Sequence, residues 1–295
     1  MKVAVLGGRG YVGCRLVAHL VAAGHQVRFV DRSETSRSGM RRLPDRLIAD
    51  SVDFLINAAG YTGRPNVDAC ERRKIACWRG NVDLPLRLAA VMDRVGVPWA
   101  HVSSGCIFDG DNAGGNGFRE DDPPNFDFNS GRCSFYSGCK AEAERRLAGA
   151  PNLYIWRIRM PVDRRPSPRN YLTKLLTYDR LLDARNSLSS LDGFADAAVR
   201  CVQQRPEPGK YHLTHPGSVT TRQICQRLSR RTGRTFDFFV SDEQFYRSGH
   251  TPRSCCVLDS SKAVRAGFGL QPIEEILDGM IDRYFDTVRR GDDGG

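Results

Sequence analysis

Residues 2–13 read KVAVLGGRGYVG, and this stretch decides the fold. Lys2 to Leu6 is a short apolar run closed by glycines, the pattern of a strand buried in a parallel sheet. From Tyr11 to Ala23 the apolar residues recur at helical spacing and stop at Gly24. Gly7, Gly10 and Gly13 stand between strand and helix. Gly7 permits the tight turn, Gly10 lets the backbone approach a pyrophosphate, and Gly13 lets the helix pack close to the sheet. The helix N-terminus attracts the phosphate charge. Tyr11 and Val12 lie inside the same loop and join its cofactor set. A strand, this glycine turn and a helix together predict a dinucleotide site.

Outward from the loop, residues 26–30 (QVRFV) read as a second strand, and Asp31 follows 18 residues after Gly13. A carboxylate there binds ribose hydroxyls, which favours NADH. Arg32 comes next and suits a 2′-phosphate, which favours NADPH, so the cofactor is read as NADPH or NADH. An exposed Ser/Arg-rich loop is expected over 32–42. A third strand over 53–56 runs into Asn57-Ala58-Ala59-Gly60. A helix over 66–93, a strand over 98–103, a long irregular loop over 109–132, a helix over 136–148 and a strand over 153–159 follow. This alternation predicts an α/β, doubly wound parallel sheet of Rossmann type. Beyond residue 160 the pattern loosens, with helices expected over 170–181, 192–204, 221–232 and 272–289. The division expected is an NAD(P)-binding domain with the catalytic residues over 1–155, a smaller interleaved substrate lobe over 156–290, and a flexible tail over 291–295.

The composition narrows the class. The chain has 295 residues, 40% hydrophobic and 26% charged, too apolar for a disordered chain and long enough for a sizeable core. No apolar run reaches the ~18–20 residues of a membrane span, and the N-terminus lacks the apolar region of a signal peptide. A cytoplasmic protein with no membrane partner is expected. The ten cysteines form no CxxC pair and read as reduced thiols, with no metal site. The net charge of +10 is spread along the chain. It reads either as a basic surface or as a site for a small polyanion such as a nucleoside diphosphate, and no motif supports nucleic-acid binding.

Tyr136 and Lys140 stand four apart at the start of a helix and share one face. A phenol with a pKa near ~10 is a poor proton donor or acceptor at neutral pH unless its phenolate is stabilised, which a nearby ammonium does. Ser103 and Ser104 end the preceding strand, where a hydroxyl can hydrogen-bond a substrate carbonyl.

Taken in order, Gly7, Gly10, Gly13, Asn57 to Gly60, Asn81, Ser104, Tyr136 and Lys140 resemble the extended short-chain dehydrogenase/reductases. More narrowly, the chain looks like the dTDP-4-dehydrorhamnose reductase branch, and most like its nucleotide-rhamnose synthase/epimerase-reductases. The segments NAAGYTGRPNVDACE (57–71), SGCIFDG (104–110), GFREDDPPNF (117–126), SFYSGCKAEAE (134–144), RIRMPVDRRPSPRNYLTKL (157–175) and PRSCCVLD (252–259) carry the likeness, which is weaker over 26–50. The resemblance implies reduction of a nucleoside-diphosphate 4-keto-6-deoxy sugar at carbon 4. Tyr136 would give the proton, Lys140 would lower the Tyr pKa and hold the nicotinamide ribose, and Ser104 would orient the carbonyl. Asn81 would support Lys140 through water or cap a helix turn. Cys106 stands where reductases without epimerase activity carry Tyr, and with Lys174 it would carry a 3,5-epimerisation. Thr62, Arg64, Met160, Asn170 and Arg253 join the expected substrate set, Arg253 for the diphosphate; Arg169 lies in a matched loop. The other nine cysteines are read as packing residues. The function expected is a 3,5-epimerase/4-reductase making an NDP-β-L-rhamnose, with UDP as the nucleotide and a homodimer as the assembly considered. A reductase without epimerase activity and a non-catalytic dinucleotide-binding regulatory subunit are the alternatives.

Overall fold

In the computed structural model, which describes residues 1–292 except 65, 113 and 250, six strands form one parallel sheet. They are β1 (Lys2–Leu6), β2 (Gln26–Val30), β3 (Phe54–Asn57), β4 (Trp99–Ser104), β5 (Leu153–Ile158) and β6 (Gly209–His212), in the order β6-β5-β4-β3-β1-β2. The longer helices are α1 (Tyr11–Ala22), α2 (Arg37–Ala49), α3 (Leu84–Val95), α4 (Phe135–Arg146), α5 (Tyr171–Thr177), α6 (Leu191–Gln204), α7 (Thr221–Thr232) and α8 (Ile273–Asp292). Val3 to Leu6 and Phe54 to Asn57 are buried without alternation because helices cover both sheet faces. Leu16, Leu20, Phe194 and Trp156 pack one face; Leu43, Leu47, Leu88 and Trp99 pack the other. A further core joins α5, α7 and α8 through Leu172, Ile224, Leu228, Leu277 and Ile281. The chain leaves β1 for β2 on one side and returns to β3 on the other. A crevice therefore opens at the carboxyl ends of β1 and β3, where such sheets bind ligands.

Several local readings change. Residues 32–42 are not a loop: a 3₁₀ turn, Arg32–Thr35, leads into α2. Asp31 and Glu34 form a capping box, and the Ser36 hydroxyl accepts from the Gly39 amide at 3.0 Å. Met40, Leu43 and Leu47 fall on one face and enter the core, while the polar residues that mimic a loop cover the outer face. Residues 66–93 are not one helix. Short helices Ala69–Arg72 and Lys74–Trp78 precede a π-helical turn, Arg79–Asp83, and then α3. The Asn81 side chain is drawn to the Tyr61 backbone, and Pro85 at the start of α3 has no N–H to continue an earlier ladder. β6 escapes a sequence reading because it is four residues long and opens on glycine. α8 runs through Asp292, into the tail expected over 291–295; residues 293–295 lie outside the described residues. No helix among the described residues is long and apolar enough to cross a membrane.

His101, His212 and His215 are buried, and burial holds all three below the ordinary imidazole pKa. The unfolded chain therefore binds more protons than the folded one below about pH 6.5, and stability falls as the pH falls from there. Each ring contributes a slope of up to about 1.4 kcal/mol per pH unit. His19, raised by its hydrogen bond to Asp192 and by Asp196, acts in the opposite sense but is partly exposed. The urea midpoint is expected to drop between about pH 7.5 and pH 5.5; an unchanged midpoint would contradict the burial of these rings as neutral groups.

Candidate active site

Gly7 has φ +78°, and a Cβ there would lie 2.6 Å from the Ala59 amide nitrogen. A Cβ on Gly13 would overlap the Gly7 carbonyl. Gly10 precedes α1 with no side-chain cap, so the first-turn amides face outward as a helix N-terminus suited to an anion. This cradle opens into a cavity of 1880 Å³ along the carboxyl ends of the strands. A pocket for a single small ligand spans roughly 300–1,000 Å³, so there is room for a dinucleotide and a second large ligand.

At one end the wall carries Gly7 to Val12, Asp31, Arg32, Arg87 and Ala58 to Gly60. Arg9 pairs with Asp31 at 3.0 Å and lies over the Phe29 ring. The residues present thus fit a dinucleotide: a glycine cradle for the pyrophosphate and a mixed acid–base rim for the adenosine ribose.

Ser104, Cys106, Tyr136 and Lys140 line the middle of the cavity. The Ser104 hydroxyl accepts from the Cys106 amide at 3.2 Å and caps the 3₁₀ turn Gly105–Ile107, which folds the thiol back beside the strand end. Ser134 caps α4 by accepting from the Ser137 amide at 3.1 Å, which fixes the helix carrying Tyr136 and Lys140. Lys140 Nζ donates to the Val102 carbonyl at 3.1 Å, and burial lowers its pKa. Burial pushes the Tyr136 phenol well above its ordinary value, and Ser104 works against that rise. Cys106 is 7% exposed and Tyr136 packs against its cluster. Burial raises the thiol, while Ser104, Ser137 and the charges of Arg159 and Lys140 pull it down.

Farther along, Lys174 on α5 lines the cavity, its pKa lowered by burial and then by the charges of Arg253 and Arg169. Arg253 forms a two-pronged pair with Asp68 at 2.6 and 2.8 Å. Arg169 meets the Thr62 hydroxyl. Met160 has φ +40°, unusual for a side chain of this type and costing roughly 1–3 kcal/mol.

Residues 1–285 match the RmlD substrate binding domain. The chain belongs to this family. It is 35% identical over 252 residues, 81% of each chain, to a bifunctional dTDP-4-dehydrorhamnose 3,5-epimerase/dTDP-4-dehydrorhamnose reductase of Arabidopsis thaliana. It is 38% identical over 265 residues to a trifunctional UDP-glucose 4,6-dehydratase/UDP-4-keto-6-deoxy-D-glucose 3,5-epimerase/UDP-4-keto-L-rhamnose-reductase of the same plant, covering 85% of this chain but 38% of that one. Among solved structures, the L780 UDP-rhamnose synthase of Acanthamoeba polyphaga mimivirus shares the fold with a TM-score of 0.87 at 24% identity, covering 96% of this chain and 99% of that one. A dTDP-4-dehydrorhamnose reductase of Bacillus anthracis in complex with NADP follows at 0.76 and 15%, covering 95% and 97%.

In this RmlD-family chain most of the expected site residues reach the cavity, including Thr62, Arg64, Asn81, Met160, Lys174 and Arg253. Gly13, Asn57 and Asn170 do not. Gly13 packs the helix onto the turn. Asn57 is fully buried, donates to His101 Nδ1 at 3.0 Å and accepts the Ala59 amide at 3.1 Å, so it shapes the turn from beneath. Asn170, expected at the substrate, is instead the cap of α5, accepting from the Leu172 amide and donating to the Asp163 and Arg165 carbonyls. Asn81 accepts from the Tyr61 amide at 3.2 Å and donates to its carbonyl at 2.7 Å, holding the loop after Gly60. Ser103 donates to buried Glu144 at 2.5 Å, which leaves Ser104 as the serine free to meet a carbonyl. Of the nine cysteines read as packing residues, Cys14 is exposed and Cys255 lines the cavity. Arg9, Arg159 and Tyr171 also line it without having been assigned a role from sequence. Arg9 had a signal, standing inside the glycine fingerprint.

Proposed function

We propose that this chain is a bifunctional 3,5-epimerase/4-reductase converting UDP-4-keto-6-deoxy-glucose to UDP-β-L-rhamnose with NADPH. The observation that carries the reading is that Cys106 and Tyr136 share one wall of the cavity the glycine cradle opens into, with Lys174 lining the same space. The activities named for the Arabidopsis relatives support it. The ten cysteines, all free, suit a reducing cytoplasm.

The glycine cradle would hold a nicotinamide dinucleotide, which when bound would supply hydride. Ser104 holds the carbon 4 carbonyl, and the Tyr136 phenol, kept neutral by burial, gives its proton to the alkoxide as it forms. Lys140 stands one helical turn away to balance the phenolate left behind. Carbons 3 and 5 flank the ketone, so loss of either proton sends the electron pair to the carbon 4 oxygen as an enolate. The Cys106 thiolate takes that proton, breaking C–H and forming S–H. The Lys174 ammonium returns a proton to the other face, which inverts the centre.

NADPH is proposed because Arg9 engages Asp31 while Arg32 and Arg87 share the same rim. Full-length protein given UDP-4-keto-6-deoxy-glucose and either cofactor is expected to form UDP-β-L-rhamnose, read by proton coupling constants. Arg9→Ala is expected to lower kcat/KM for NADPH by about tenfold and leave NADH within threefold, the loss of one charge-assisted contact. A carbon 4 alcohol with unchanged carbons 3 and 5 would leave a reductase alone. No cofactor oxidation on any 4-keto sugar would return the regulatory-subunit alternative.

A further inference from the structure

Among the described residues three arginines are more than nine-tenths buried: Arg15, Arg157 and Arg159, at 3, 1 and 6% exposure. Two have carboxylates. Arg15 pairs with Asp163 and Asp192, and Arg157 pairs with Glu144 at 2.6 Å. Arg159 has no ion pair to any carboxylate among the described residues. Its Nε and Nη2 donate to Asn186 Oδ1 at 3.1 and 2.6 Å, and Nη2 also reaches the Ser254 carbonyl. These acceptors are neutral, and Nη1 has no protein acceptor among the described residues. A buried cation without a counter-charge is costly, and such costs concentrate at functional sites.

The guanidinium lines the same cavity as Cys106. Its backbone is held on both sides: the Arg159 amide donates to Ser189 Oγ at 3.0 Å, and its carbonyl accepts from the Ser189 amide at 2.8 Å. The next residue, Met160, has the positive φ that turns the chain out of β5. The charges that act most strongly on Arg159 are those of Cys256, Cys255, Cys106 and Tyr171. Burial pushes Cys255 up to about 11 and Tyr171 up to about 12, so neither is an anion at neutral pH.

We propose that Arg159 is a positioning residue for the epimerisation, the counter-ion that stabilises Cys106 in its thiolate state. The proposal rests on the reading of Cys106 as an acid–base group. The thiol releases its proton to water at the cavity mouth. The thiolate takes the proton from carbon 3 or 5, the electron pair moves to the carbon 4 oxygen, and the step runs in reverse when the thiol is the donor. In both directions the negative sulfur forms beside Arg159. The groups facing Cys106 are Ser104 at the end of β4, Tyr136, Ser137 and Lys140 on α4, Arg159 after β5, and Cys256 from the C-terminal segment. Tyr136 and Cys256 are raised and stay neutral, which leaves Arg159 and Lys140 as the cations. Lys140 is already tied to the Val102 carbonyl. Burial outweighs both cations in the free protein, so loss of Arg159 drives the thiol higher still.

The test uses the full chain, UDP-4-keto-6-deoxy-glucose in D₂O without nicotinamide, and deuterium entry at carbons 3 and 5. Arg159→Gln, which keeps a donor toward Asn186, is expected to slow exchange about tenfold at neutral pH and to move the acid limb of its pH profile up by about one unit. Reduction of the already epimerised 4-keto sugar should stay within threefold. Alkylation of Cys106 by iodoacetamide, followed by peptide mass spectrometry, should shift in pH by the same amount. Arg159→Lys, which keeps the charge, should hold the limb within half a unit and serves if the Gln variant does not fold; a full-unit shift in it would overturn the proposal. An unmoved acid limb in Arg159→Gln, with exchange abolished in Cys106→Ser, would overturn this proposal alone. If KM for the nucleotide sugar also rose in both half-reactions, Arg159 would belong to the diphosphate. Wild-type exchange in Cys106→Ser would overturn the underlying reading and this proposal with it.

Discussion

Tyr136→Phe is expected to lower kcat for reduction of the epimerised 4-keto sugar by about 10³, within the range for a positioned proton donor. The ring that packs against the Cys106 cluster remains, so KM and the thermal midpoint should change little. The hydroxyl removed is the one burial keeps protonated and Ser104 hydrogen-bonds. Deuterium exchange at carbons 3 and 5 should persist at a reduced rate, because on the proposed reading Tyr136 would hydrogen-bond the enolate oxygen without moving the carbon-bound protons. A fall of less than fivefold in stopped-flow NADPH oxidation would remove Tyr136 as the proton donor.

Cys106→Ser should suppress formation of the L-configured product by about 10³ while leaving reduction of the epimerised sugar within threefold. Serine fills nearly the same space and leaves the hydrogen bond from the residue 106 backbone amide to Ser104 Oγ in place, but its hydroxyl does not ionise at neutral pH. Lys174→Met separates the two faces of the reaction. On the proposed reading the thiolate would still remove a proton and return a deuteron to the same face, so exchange should survive while inversion is lost. Unchanged product stereochemistry in Cys106→Ser, read by proton coupling constants, would refute the two-step reading. Both variants are expected to fold, since neither side chain makes an ion pair or caps a helix among the described residues.

What was readable in the sequence follows from how local the signal is. KVAVLGGRGYVG carries strand, turn and helix within twelve residues, and each is decided by neighbours in the chain. Tyr136 and Lys140 share a face because a helix repeats every 3.6 residues, which spacing alone dictates. α2 was hidden because its apolar side is three residues, Met40, Leu43 and Leu47, among arginines and serines that a solvated loop would also have. Asn170 misleads for a related reason. An asparagine in a matched loop can face a ligand or cap a helix, and only the position of its amide beside the Asp163 carbonyl tells the two apart.

The sequence by itself determined the parallel α/β sheet, the glycine cradle and the Tyr136–Lys140 pair, because these depend on short-range periodicity and on residue chemistry; Cys106 and Lys174 stood out only through the resemblance to the epimerase-reductases. The tertiary structure alone decided which of them meet. Cys106, Arg159, Lys174 and Arg253 are far apart in the chain and arrive at one cavity through sheet pairing and the packing of α5 and α8. It alone showed that Arg157 has a carboxylate and that Arg159, two residues on, has none among the described residues: a charge is compensated by what lies across space, which no local pattern records.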